Sequence, residues 1–364
     1  MVIEPRLSVV LPVYNALPYL QETLDSLSSQ SFTRFEVIAI DDGSTDGSSQ
    51  LLREHAEQDR RFRVARQDNR GGAAARNRAV AMARSDLLAL VDADDVLLPD
   101  RFALQVHRFE QDPALSVLGG AADVIDEDGT IIDHDVMPTG HDAIVQRLLS
   151  VGSCLYDPTV MLRRDAFLVA GGYREWLRVA YDYDLWLRML PRRFGNLPDT
   201  LVRYRVHGAQ ASADAARVIF TETALRAAAS CRRRGRPDPL DDWRGEFDLE
   251  RIASLELGAV DEIVLWARLL EAAGSSARRA DDPLEESVMG LVQERFHLLG
   301  SVTTAGLEPD WAVAVRRLPR RLWKAGRRVS AAELAVRMAI SDAKMQIRHV
   351  AGRFAARTRA SGTR

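Results

Sequence analysis

The chain has 364 residues, 46% of them hydrophobic and 28% charged, with a formal net charge of −3 at pH 7. It is too long for one ordinary domain and has the composition of a globular protein with a sizeable core, so two domains are expected. No apolar run approaches the ~20 residues of a membrane-spanning helix, the N-terminus lacks a signal peptide's basic start and long apolar middle, and Cys154 and Cys231 alone argue against a disulfide framework or a zinc site; the expectation is a cytoplasmic protein with two free thiols.

In chain order, β-branched apolar runs alternate with helical stretches. LSVVL (Leu7–Leu11) precedes a helix from about Pro18 to Ser29. FEVIAI (Phe35–Ile40) precedes one from about Thr45 to Glu57, RFRVA (Arg61–Ala65) one from about Ala73 to Ala83, and LLALV (Leu87–Val91) closes the series. This rhythm predicts an α/β domain with a mostly parallel central sheet, and the near-continuous apolarity of the strands fits burial on both faces. Short strands follow near Ser116–Leu118 and Thr130–Ile132, with helices near Asp142–Leu149 and Asp182–Met189. After Ala213 strand patterns stop and Ala- and Arg-rich helical segments take over. The expected domains are therefore residues 1–212 and a helical region, 213–364.

Polar chemistry collects where the strands end, at the sheet edge where such folds bind ligands. PVYN (Pro12–Asn15) follows the first strand, DDGSTDGS (Asp41–Ser48) the second and DADD (Asp92–Asp95) the fourth. Asp41 and Asp42 can accept hydrogen bonds from a base or sugar, with Gly43 turning the chain and Asp46 capping the helix. Asp92 and Asp94, with Ala93 between them, would point the same way from an extended backbone, and two hard oxygen ligands suit Mg²⁺ or Mn²⁺. In DNRGGAAARNRA (Asp68–Ala79), Gly71 and Gly72 allow close backbone approach to a ligand, and Arg76 and Arg78 on the following helix can face a phosphate or base. Asp182, before an amphipathic helix in VAYDYDLWLRML, is a candidate general base. His207, in VRYRVHGAQAS, is a candidate late ligand to the metal. Each stretch alone also fits a plainer role: an Asx turn, solvated turn aspartates, a helix cap, a surface histidine. There is no G-x-G-x-x-G and no G-x-x-x-x-G-K-[ST].

Together, SVVLPVYN, IAIDDGSTDGS, NRGGAAARN, LVDADD with LLPDRF, DPTVMLRR with GGYRE, YDYDLWLR and YRVHGAQAS resemble the family 2 glycosyltransferases of the GT-A fold, over about residues 6–212. The resemblance implies an inverting, metal-assisted transfer from a nucleotide-sugar donor to a glycan or lipid-linked acceptor. It implies that Pro12, Val13, Tyr14 and Asn15 line the nucleotide pocket, that Asp42 meets the nucleobase with Arg76 nearby, and that Asp92 and Ala93 lie close to the ribose and metal. Asp94 is then the direct ligand of Mn²⁺ or Mg²⁺, His207 a further one, and Asp182 the base. Many relatives carry Glu before that Asp, whereas this chain has Tyr181. A sugar nucleotidyltransferase would need a Gly-rich basic loop after the first strand, which PVYNALPY lacks; retention of Asp42, Asp92, Asp94 and Asp182 counts against a non-catalytic nucleotide-sugar-binding scaffold.

The net charge conceals an asymmetry. From Trp311 onward 14 Arg and Lys face only Glu333 and Asp342, a balance of +12 that leaves −15 on the rest. A basic end carrying Trp311, Leu318, Leu322 and Trp323 suits an anionic membrane surface or the protein's own acidic body. No nucleic-acid partner is expected, since no base-reading pattern accompanies the charge.

Overall fold

The computed structural model describes residues 4–150, 152–208, 210 and 215–243. The basic segment from Trp311, and with it the expected membrane contact, lies outside the described residues. The chain divides into two compact units, the first holding everything described up to Gln210 and the second the helix Ala215–Arg233 and the turns after it. Among the described residues no helix is long and apolar enough to cross a membrane, and both Cys154 and Cys231 are buried and free.

The first hundred residues build the expected layers. Strands β1 (Leu7–Val13), β2 (Phe35–Asp41), β3 (Phe62–Arg66) and β4 (Leu87–Leu90) pair in parallel in the order β3-β2-β1-β4. Helices α1 (Leu17–Ser28), α2 (Ser48–Gln58) and α3 (Gly72–Met82) connect them. Because alternate strand residues face opposite sides, Leu7, Val9, Leu11 and Val13 join Leu20, Leu24 and Leu27 of α1, Leu52 of α2, and Phe102, Val106 and Phe109 of α4 (Arg101–Gln111) in one buried cluster. Each such Leu or Phe is worth about 1.5–3 kcal/mol on burial. On the other face Val10, Ile38, Ile40, Leu88 and Leu90 are buried, and α3 packs against β1 and β2.

Asp46 joins the starts of two helices rather than capping one. Its carboxylate accepts the amides of Leu17 (3.0 Å) and Ser48 (2.9 Å). Burial opposes its charge, but these amides outweigh it and hold the carboxyl below the usual range.

That second sheet face also holds one charge. Glu36 is 2% exposed and accepts from Ser8 Oγ (2.8 Å), Arg63 Nη1 (2.9 Å), Arg84 Nε (2.9 Å) and the Arg84 amide (2.9 Å). Burial pushes the carboxyl up, but the hydrogen bonds from Arg84 and Arg63 outweigh it, and Glu36 stays below its ordinary value. A depressed pKa adds stability above the unfolded value and loses it as pH falls through the folded one. Glu36→Gln should therefore lower unfolding free energy by about 1–3 kcal/mol at neutral pH, the cost of stranding these donors. Urea melts at pH 7 and pH 3.5 should show the difference shrinking in acid; equal stability at pH 7 would remove Glu36 from this role.

Beyond β4 the sheet becomes mixed. β5 (Val96–Leu97), β6 (Leu115–Ile125), β8 (Met161–Arg163) and β9 (Arg193–Arg205) extend it in the order β4-β8-β6-β9-β5, with β7 (Ile131–Asp135) pairing on β6. β8 runs antiparallel to β4 and β6, β9 parallel to β6, and β5 antiparallel to β9. β6 is 11 residues long where a short strand near Ser116–Leu118 was expected, because Gly119–Gly120, which reads as a break, continues the ladder. β9 was not expected at all. Its Pro198 and Asp199 look like a turn, but they fall in a register shift, with Gly120 paired to Leu197 and Ala121 to Thr200. A bulge needs no ladder donor at that point, so proline is tolerated there. Helices α5 (His141–Ser150), α6 (Arg164–Val169) and α7 (Tyr181–Arg188) complete this unit; α8 (Ala215–Arg233) belongs to the second.

Candidate active site

Parallel pairing brings the carboxyl ends of β1 to β4 to one edge, and the predicted residues follow them. At the end of β1, Pro12 is half-buried and Val13 buried, while Tyr14 just beyond it is 52% exposed. Asn15 adopts the left-handed conformation (φ 48°), which asparagine tolerates; its Oδ1 accepts the Thr45 amide at 2.8 Å, and its own amide donates to Ser44 Oγ at 3.1 Å. The PVYN loop and the loop after β2 thus form one wall.

The two aspartates ending β2 hold backbone. Asp41 accepts the Ser44 amide (2.8 Å) and the Ser49 hydroxyl. Asp42, 3% exposed, accepts from Gln67 Nε2 (2.7 Å) and the amides of Arg70 (2.9 Å) and Gly71 (2.8 Å). It fixes the loop between β3 and α3, a role its sequence position does not suggest.

That loop delivers α3. Gly71 has φ 91°, a left-handed value that favours glycine, and a Cβ on Gly72 would lie 2.8 Å from the Tyr181 hydroxyl. The space predicted for a ligand at Gly72 is thus taken by a side chain of α7. Arg76 is 3% exposed: Nη1 donates to the Tyr181 hydroxyl at 2.6 Å, Nη2 pairs with Asp92, and Nε lies 3.3 Å from Asp157. The guanidinium ties α3, the end of β4, α7 and the 3-10 turn Asp157–Thr159 together. Arg78 instead donates to the Arg66 carbonyl at 2.8 Å on the outer side.

After β4 the chain turns at Ala93–Asp94 instead of continuing extended, so Asp92 and Asp94 acquire different partners. Asp92 meets Arg76; Asp94 Oδ2 lies 2.9 Å from His207 Nε2. The pair Asp94–His207 joins positions 113 apart in the chain. Ala93 between them is nearly buried. Asp182 stands in the first turn of α7, the second residue after Ala180, a non-glycine residue at φ 55° that precedes the helix. The helix is held by fully buried Leu185 and Trp186 and by Asp184, which pairs with Arg174 (3.1 Å) and Arg188 (2.8 Å).

These carboxylates feel one another. Burial pushes Asp92 above its ordinary value against the pull of Arg76, and Asp94 and Asp182 push it further. Burial likewise raises Asp182, opposed by the Tyr183 amide and Arg76. Asp95 is raised by burial and by Asp94 and Asp92; Asp157 by burial and by Asp182 and Asp92. Negative potential concentrated this way favours a cation.

The donor set fits a divalent ion of the hard, partly hydrated kind. Asp94 Oδ2 and His207 Nε2, 2.9 Å apart in a hydrogen bond, set a carboxylate and an imidazole side by side, and such an ion could take both as ligands. Among the described residues no group of three or more His, Cys, Asp or Glu could hold an ion. An ion at Asp94 and His207 would therefore have to complete its shell with water and substrate oxygens.

Asp157, Tyr181 and Arg205 were not predicted as part of the site. Tyr181 is noted in the sequence only as standing where many relatives carry Glu, Arg205 has no local signal, and only the position of DPTVMLRR among the other stretches hints at Asp157.

Comparison with known proteins identifies the family. Residues 8–169 match the family model described as "Glycosyl transferase family 2". The O-antigen biosynthesis glycosyltransferase WbnJ of Escherichia coli is 31% identical over 206 residues, covering 55% of this chain and 80% of WbnJ. The putative glycosyltransferase EpsH of Bacillus subtilis is 34% identical over 138 residues, 38% of this chain; the chain spans only 40% of EpsH. Among solved structures, S. aureus TarS 1–349 in complex with UDP-GlcNAc superposes with TM-score 0.58 at 17% identity, over 94% of this chain and 92% of that one. The mannosyltransferase PcManGT from Pyrobaculum calidifontis, in complex with GDP-Man and Mn²⁺, gives 0.51 at 18% identity, over 93% and 87%. At such identities the structural likeness is one of fold, the GT-A fold. On sequence, fold and motif order alike, the chain belongs to the family 2 glycosyltransferases.

Proposed function

We propose that the chain moves a sugar from a nucleotide-diphosphate sugar to a hydroxyl acceptor, with inversion at the anomeric carbon, in the synthesis of a cell-surface polysaccharide or related glycoconjugate. The observation that carries this reading is the gathering of Asp92, Asp94 and Asp182 at one sheet edge, close enough that Asp94 and Asp182 both act on Asp92, with His207 hydrogen-bonded to Asp94. Pro12 to Asn15 and the loop fixed by Asp42 form the wall for the nucleotide. Asp94 and His207 hold the divalent cation, Mn²⁺ or Mg²⁺, with Asp92 beside it. Bound there, the ion supplies Lewis-acid stabilisation of the charge on the departing diphosphate. Asp182 accepts the proton of the acceptor hydroxyl as its oxygen attacks the anomeric carbon from the face opposite the leaving group. The bond from the anomeric carbon to the diphosphate oxygen breaks, its electron pair leaving with the nucleoside diphosphate, so one displacement inverts the centre.

Arg76 offsets the charge of Asp92 and, through Tyr181, fixes α7 against α3. In this chain Tyr181 provides by hydrogen bonding what a second carboxylate would provide by charge. The acceptor, glycan or lipid-linked, and peripheral contact of the basic end with an anionic membrane belong to the same proposal.

UDP-sugars and GDP-sugars incubated with the enzyme and Mn²⁺ test the reading. Slow release of UDP or GDP from at least one donor, lost on adding EDTA, is the expected result. Release of pyrophosphate-linked products, or no turnover of any donor with or without Mn²⁺, overturns it.

A further inference from the structure

We propose that Arg205 is a positioning residue that sets the Asp94–His207 pair; the inference rests on the metal reading above and extends it to a side chain that touches neither metal nor substrate. Arg205 ends β9 and is 2% exposed. Its backbone amide donates to Asp95 Oδ1 at 2.8 Å and its Nε to the Asp94 carbonyl at 2.9 Å, so main chain and side chain both grip the turn that presents Asp94. Nη1 donates to the carbonyls of Asp126 (3.3 Å) and Glu127 (3.2 Å), and Nη2 pairs with Glu22 Oε2 at 2.5 Å.

The same residue controls the other partner. The guanidinium lies 4.6 Å from the centre of the Tyr19 ring, and that ring packs 5.1 Å from the imidazole of His207. Gln210 donates to the Arg205 carbonyl at 2.5 Å and accepts the His207 amide at 3.4 Å, closing the two-residue link between them.

Only a guanidinium suits this place. Its planar fork reaches carbonyls on two loops, a carboxylate and a ring face at once, while a lysine has three donors on one nitrogen and no plane. A buried positive charge next to a cation site would repel the cation; the carboxylate of Glu22 offsets it. Groups that orient ligands in this way typically change metal affinity 10–100-fold when altered.

The test measures Mn²⁺ binding by the EPR signal of free Mn²⁺, with and without UDP or GDP, alongside thermal unfolding, on the full chain. Arg205→Lys should weaken Mn²⁺ binding by about 10–100-fold. Glu22→Gln, at a side chain 55% exposed, should weaken it less but in the same direction, and decides the matter if Arg205→Lys does not fold. Glu36→Gln is the control: it should lower stability and leave Mn²⁺ affinity unchanged. Wild-type affinity in Arg205→Lys, or in Glu22→Gln where that variant alone folds, overturns the inference. So does an equal loss in Glu36→Gln, which would make the effect general destabilisation. If the wild type itself binds no Mn²⁺, the metal reading falls, and this inference with it.

Discussion

Asp182→Asn is expected to lower kcat for sugar transfer by about 10²–10⁴-fold, the usual worth of a positioned general base, with the KM for the donor nearly unchanged. The asparagine keeps the size of the side chain and its place in the first turn of α7, where buried Leu185 and Trp186 hold the helix. A loss confined to kcat marks an interaction made in the transition state. The pH dependence carries a second signature. Burial raises the Asp182 carboxyl above its ordinary value, and the base acts deprotonated, so kcat/KM should fall as pH drops through a value above that of an ordinary aspartate. In the variant this acid limb should disappear from the residual activity. Transfer at near wild-type kcat would take Asp182 out of the mechanism.

Asp94→Ala should cost about 10²–10³-fold in kcat, the scale of losing one preorganised stabiliser of developing charge. The side chain is partly exposed and meets His207, so its removal should change unfolding free energy by only about 0.5 kcal/mol, as for surface sites generally. Two measurements separate this from unfolding. The melting temperature without Mn²⁺ should match the wild type, and the rise in melting temperature that Mn²⁺ with a nucleoside diphosphate gives the wild type should vanish. A variant that keeps both that rise and its turnover would place the ion elsewhere.

The parts legible in the sequence are those where one physical requirement dominates. Runs such as Val9–Leu11 and Val37–Ile40 must be apolar on both faces, so β1 and β2 announce themselves, and the polar turns after them fall at the ligand edge by topology. Asp92, Asp94, Asp182 and His207 could be singled out only together, because each alone fits a turn, a cap or a surface histidine, and it is the order of the stretches that carry them that points to one site.

The illegible parts obey two requirements at once. β9 hides behind Pro198 because a register shift makes a ladder donor unnecessary at that point. Arg205 gives no local sign of its role, since nothing nearby in the sequence reveals carbonyls from positions 94, 126 and 127 converging on it. Asp42 invites a nucleobase, yet its partners lie 25 to 29 residues on, in a loop whose path the sequence does not disclose. Arg76 suggested a phosphate or base contact; its burial beside Tyr181 and Asp157 follows from packing between α3 and α7.

The long strand β9 has a consequence for biosynthesis. His207 reaches Asp94 only after β9 has aligned along β6, a pairing between segments about eighty residues apart. Such distant closures form late in folding because the loop entropy must be met before any contact rewards it. A polypeptide still emerging from the ribosome with its first four strands already in place therefore has the loops after β1 and β2 but not the Asp94–His207 contact. That contact waits for the strand most distant in the chain to join the sheet.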